Sequence, residues 1–189
     1  MSLEKNCLME NINMVLGNTN RFAIEVNVNN LFHDEYIGEG NFIVHINNFS
    51  YGLREEYATV YLCIIDILKN FHLEFKNTDL GLEKFSKNEI AMYHYMQKYG
   101  EVDSIEYDKF LLQKTQHLTE WLPESAFDDG SHVLHFDVDE KVRLIGYKSC
   151  SIDEHFCVEE SSVNEIFIPR IEFAEILRLT YEYLESLKD

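Results

Sequence analysis

Basic residues are scarce in this 189-residue chain: Lys and Arg total 16 against 34 Asp and Glu, for a formal charge of −18. A surface so acidic repels phosphate backbones and anionic lipids, which argues against nucleic acid or a membrane as a direct partner. Long apolar runs are also missing. The richest, Val60 to Leu68, is broken by Asp66 and falls well short of the roughly 18 residues that span a bilayer. The N-terminus offers one Lys and then Glu10, not the basic and then apolar pattern of a secretion signal, so the expected compartment is the cytoplasm. Only two prolines occur, and neither a linker, a repeat nor a low-complexity tract is visible. The cysteines at 7, 63, 150 and 157 form no C-x-x-C pair and read as reduced thiols, with Cys63 in the core.

What is present is core material. Apolar residues make up 46% of the chain and aromatics 13%, too rich for disorder. A chain of this length buries roughly 70% of its extended surface on folding, enough for one domain. Residues 1–15 read as a loosely ordered N-terminal extension of that domain.

Periodicity supplies the elements. Phe22, Ile24, Val26 and Val28 alternate with Arg21, Ala23, Glu25 and Asn27, the pattern of a half-buried strand. A polar loop is expected from His33 to Asn41. Asn47-Asn48 then marks a tight hairpin, because Asn tolerates positive φ, with Ile46 opposite Phe49, Val44 opposite Tyr51 and Phe42 opposite Leu53. From Arg54 to Phe71 the apolar spacing becomes helical. Asn77 to Phe85 reads as a loop. Ser86 and Glu89 form a capping box that opens a second helix, which Gly100 ends, and residues 104–118 suggest a third. Strands resume at Ser131, with a three-residue turn at Asp139 to Lys141 pairing Val138 with Val142 and Phe136 with Leu144. Further strands are expected at His155–Glu159 and Val163–Ile168. Pro169 then suits the first position of a terminal helix. The expected fold is α+β: one antiparallel sheet of about six strands with three to four helices, in the order βββ-αα(α)-βββ(β)-α.

Motifs for chemistry are weak. His135, Asp137 and Asp139 share one strand face and could contribute ligands to a hydrolytic metal centre, but a third-party ligand and an open position are needed. The commoner arrangement is a solvated sheet face. His132 points to the opposite face. Asp128-Asp129-Gly130 lacks the alternating ligands of a calcium loop, and Gly38-Glu39-Gly40 lacks the third glycine of a dinucleotide loop. No spacing singles out a nucleophile with its base. The tyrosines at 93, 95 and 99 and the methionines at 92 and 96 sit at helical spacing and read as core. No catalytic residue, metal or cofactor is therefore assigned.

Charge is more informative. Residues 128–165 hold ten acids against Lys141, Arg143 and Lys148, while residues 57–127 hold eleven acids and seven bases. Such a concentration either solubilises the fold or meets a basic partner through fast, salt-sensitive association.

The segment Leu16-Gly17-Asn18-Thr19-Asn20-Arg21-Phe22-Ala23-Ile24, the Gly40-Asn41-Phe42 strand start and the Asn turn resemble the opening of the immunity protein 42 family. The strand Val142 to Lys148 and the passage from Glu165 to Leu177 resemble its second half. The resemblance implies a small α+β protein that neutralises a toxin of a bacterial polymorphic toxin system by binding, with no chemistry of its own. It leads to an expected partner, a basic toxin domain such as a nuclease. The candidate contact residues are Asp128, Asp129, Asp137, Asp139, Glu140, Asp153, Glu154, Glu159 and Glu160. A metal-dependent hydrolase built on His135, Asp137 and Asp139, or a protein-binding adaptor using the helices, are the alternatives.

Overall fold

A computed structural model describes residues 12–31, 38–52, 58–59, 81–99, 109–115, 118–121, 129–152 and 155–187. It is α+β with two antiparallel sheets, not one sheet of about six strands. In the first, β1 (Ile12–Asn18), β2 (Phe22–Leu31), β3 (Gly38–Ile46) and β4 (Phe49–Tyr51) follow one another, and β5 (Ala58–Thr59) pairs with β3. In the second, β6 (Thr119–Glu120), β7 (Ser131–Val138), β8 (Lys141–Ile152) and β9 (His155–Pro169) lie side by side. Helices α1 (Lys87–Tyr99), α2 (Lys109–Thr115) and α3 (Arg170–Ser186), with a single 3₁₀ turn at Leu82–Lys84, complete the described elements. Among the described residues no helix is long and apolar enough to cross a membrane.

The alternation in β2 builds the first core. Phe22 lies opposite Ile46, Ile24 opposite Val44 and Val26 opposite Phe42, and all six side chains are buried on one face. The hairpin at Asn47-Asn48 forms as expected. Both residues take positive φ (50° and 69°), Ile46 faces Phe49 and Val44 faces Tyr51. The Phe42–Leu53 pairing lies outside the described residues. Val133, Val142, Leu144, Ile166 and Ile168 of the second sheet complete this core, together with Phe173, Ile176, Leu177 and Leu184 of α3.

Tyr51 joins the two sheets. Its hydroxyl lies 2.7 Å from the Ser162 carbonyl oxygen and 3.0 Å from that of Gly146, and burial pushes its pKa up to about 12. Gly146 must be glycine here, because a Cβ would run into the Tyr51 ring.

A second core lies on the other side of the second sheet, where Leu134, Phe136, Ile145 and Tyr147 meet Ile90, Ala91, Tyr93 and Tyr95 of α1. The capping box that opens α1 is made: Ser86 N–H donates to Glu89 Oε2 (2.8 Å), and Glu89 N–H to Ser86 Oγ (3.2 Å). Of the expected aromatic and methionine cluster, Tyr93, Tyr95 and Met96 are buried, whereas Met92 and Tyr99 are exposed.

Several expectations give way. Strands β1 and β6 carry no signal strong enough to have been read; Ile12 to Val15, placed in an extension, belong to β1. Ala58-Thr59, read as helix, is a strand, because three-residue β4 covers only part of the β3 edge and β5 pairs with Glu39 and Gly40 further along it. The rest of that helix, including Cys63, lies outside the described residues apart from these two. Gly38 to Asn41, read as loop, belong to β3. The turn after β7 has two residues, not three: Val138 pairs with Lys141 and Phe136 with Arg143. Apolar stacking could not select this register, since both faces of the second sheet are buried. His155–Glu159 and Val163–Ile168 fuse into the single strand β9. Pro169 sits one residue before the helix, as the cap of α3 and the last rung opposite Lys141.

Candidate functional site

Consecutive residues on an extended strand point to opposite faces. Glu120 and Trp121 therefore serve different sides of the second sheet. Trp121 enters the core between the sheets, where its ring meets Phe22, Phe42 and Phe173 at centroid distances of 6.0–6.4 Å. Its Nε1–H donates to His135 Nδ1 (2.7 Å). An indole can only donate, so His135 Nδ1 is an acceptor, and burial lowers the His135 pKa to about 4.

Glu120 faces α1. Its Oε1 accepts from His132 Nδ1 (2.8 Å) and Lys98 Nζ (2.7 Å), and its Oε2 lies 3.7 Å from His94 Nε2. Burial would push this carboxyl up, but the hydrogen bonds from His132 and Lys98 and the charge beside it outweigh burial and hold it near 2. His94, hydrogen-bonded through Nδ1 to the Tyr147 hydroxyl (2.8 Å), is pushed down to about 4 by burial, with Glu120 pulling the other way. The His132 ring stacks on Tyr147 at 4.5 Å, and its Nε2 lies 3.3 Å from Ser149 Oγ. A similar chain on the first sheet runs from Ser50 Oγ to His45 Nδ1 (3.0 Å) and from His45 Nε2 to Glu25 Oε2 (2.9 Å). Both chains satisfy polar side chains that strand alternation has buried.

The acids proposed from the sequence separate into two groups. At the β7–β8 turn, Asp137 pairs with Arg170 (2.7 Å), while Asp139 (φ 53°) and Glu140 are exposed. At the other end, Asp129 accepts from Ser131 N–H (3.0 Å) and pairs with Lys148, while Glu159 and Glu160 are exposed. Lys141 and Lys148 are seven residues apart on β8, so these groups stand about 23 Å from one another. Asp128, Asp153 and Glu154 lie outside the described residues.

The alternative metal face does not assemble. His135 is engaged by Trp121 in the core, Asp137 is engaged by Arg170, and Asp139 sits in the exposed turn. The face carrying His135 is packed against the first sheet and α3, not solvated. Among the described residues no group of three or more His, Cys, Asp or Glu side chains is placed to hold a metal ion. His132, as expected, points away from His135, but sequence reasoning missed its partner Glu120 because β6 was not recognised. Arg143 was missed as well. It is buried between the rings of Phe136 and Phe167, donates from Nε to Glu165 (2.8 Å) and reaches the Leu82 carbonyl (3.1 Å).

The described acids are thus surface charges on a two-sheet frame, some paired with a cation and others exposed. Residues 14–183 match the family described as immunity protein 42, and the chain belongs to that family. Among solved structures it is similar in fold to a CdiI from Burkholderia dolosa AUO158, at 16% identity and a TM-score of 0.55 over 92% of this chain and 99% of that one. No curated protein matches it in sequence.

Proposed function

We propose that this protein neutralises a cognate bacterial toxin domain in the cytoplasm by binding it, with no chemistry of its own, through the acidic end of the second sheet where β8 meets β9. The observation that carries this reading is membership of the immunity protein 42 family across residues 14–183. The overall charge of −18 supports a basic partner surface, such as the substrate groove of a nuclease.

Of the two acidic groups, the β8–β9 end fits better. Glu159 and Glu160 are exposed there, and Asp153 and Glu154 join the two strands in the chain. At the opposite end Asp139 and Glu140 are followed at once by exposed Lys141. Asp129 and Asp137, each paired with a cation, act as supports for the neighbouring acids and not as free contacts.

The test is calorimetric binding to the toxin domain encoded beside this gene, at low and high salt. Tight binding that weakens with salt, and an affinity cut about tenfold or more by E159K/E160K but not by D139K/E140K, is the expected result. Tight binding unmoved by salt or by either pair would relocate the interface to apolar surface, and no binding would remove the toxin assignment.

A further inference from the structure

We propose that Cys150 and Cys157 form a reversible dithiol–disulfide site, oxidised by low-molecular-weight disulfides, that staples β8 to β9. The two residues are direct partners in the β8–β9 ladder. Their sulfurs are 2.9 Å apart and hydrogen-bonded, about 0.9 Å more than a disulfide bond, so closure asks little of the backbone. Both are unbridged and only half-buried, which leaves them open to a small oxidant. The contact with Cys157 first, then burial and the charge of Glu159, push the pKa of the Cys150 thiol up.

The chemistry is two exchanges. A thiolate of the pair attacks one sulfur of the small disulfide RSSR, forming a mixed disulfide and releasing RS⁻. The neighbouring thiolate attacks the cysteine sulfur of that mixed disulfide, the Cys150–Cys157 bond forms, and a second RS⁻ leaves. Two cysteine thiols are oxidised, RSSR is reduced to two RSH, and the two cysteine protons end on RSH. Proximity favours the second step, so the mixed disulfide does not accumulate. A cross-link here ties together the strands that lead to Glu159 and Glu160, but it depends only on the ladder and not on what those acids bind.

The experiment incubates the full chain with graded ratios of oxidised to reduced glutathione, blocks remaining thiols, and maps the digested peptides by mass. The expected product is a Cys150–Cys157 linked peptide without glutathione, reversed by dithiothreitol. In C150S or C157S the remaining cysteine should instead carry a stable glutathione adduct. Amide exchange at Ser149 and Val158 should slow about tenfold on oxidation. Glutathione adducts on both cysteines of the natural chain, or free thiols at ratios that fully oxidise a control dithiol, would overturn the proposal.

Discussion

The two sides of the second sheet are built from the same strands but hold together by different physics. Toward the first sheet, the core around Trp121 is made almost wholly of aliphatic and aromatic side chains, with His135 as a neutral acceptor. Toward α1, the core includes a charged carboxylate, two histidines and a tyrosine, joined with Lys98 at the exposed edge in one network around Glu120. Burial of apolar area is non-directional and tolerates some repacking. A buried network does not, because removing one member strands the polar groups of the others. One side thus depends on volume, and the other on hydrogen-bond geometry.

The largest test removes the hub of the apolar side. Trp121→Ala should cost about 4 kcal/mol, through lost transfer energy and the cavity among Phe22, Phe42 and Phe173. Denaturant unfolding measures it, and a loss below about 1 kcal/mol would show that the site collapses around the gap. The matching change on the polar side, Glu120→Gln, should cost about 3 kcal/mol, because the amide oxygen can still accept from His132 and Lys98 but no longer carries the charge that pairs with the Lys98 ammonium. It should also lower the His94 pKa below its value of about 4, since Glu120 pulls it upward, while leaving His135 unmoved on the far side of the sheet. Histidine NMR titration reads both, and equal shifts would mean that the two sides are not independent.

Acid should strain both sides. His94 and His135 bind a proton near 6.5 when unfolded but only near 4 when folded. Their contribution is therefore complete above about pH 6.5 and is lost as pH falls toward 4, on the order of 2 to 3 kcal/mol for each imidazole. Glu120, held near 2, keeps its contribution above about 4.5 and loses it as pH falls toward 2. Thermal unfolding between pH 7 and 4 should show a steadily falling midpoint, and a flat profile would mean that the imidazoles are solvated. The smallest expected effect is at the start of α1, where Ser86→Ala should cost about 1 kcal/mol by removing the hydroxyl that caps Glu89 N–H.

What could be read in advance depended on whether one short-range pattern had a single physical cause. The Phe22 to Val28 alternation, the Asn47-Asn48 turn, the Ser86–Glu89 box and the terminal helix after Pro169 each express local geometry, and each formed. The second sheet defied the same reasoning because it has no solvated face. Its apolar residues on both sides permitted more than one register, and Arg143 opposite Phe136 is tolerable only because Phe167 and Glu165 close over it. Likewise, His135 on a polar-looking alternation is a core residue because Trp121, fourteen residues earlier, supplies its hydrogen bond.

The sequence by itself therefore determined the α+β class, the tight turns and helix starts, the acidity and the family resemblance, since composition and spacing over a few residues are enough for these. Only the tertiary structure decided that there are two sheets, that Glu120 and Trp121 anchor opposite cores, that Cys150 faces Cys157, and that the acids fall into two groups at opposite ends of β8. The reason is physical: each of these depends on which distant strand occupies an open edge or covers a buried polar group, and a free energy shared between residues far apart in the chain leaves no periodic mark within either one.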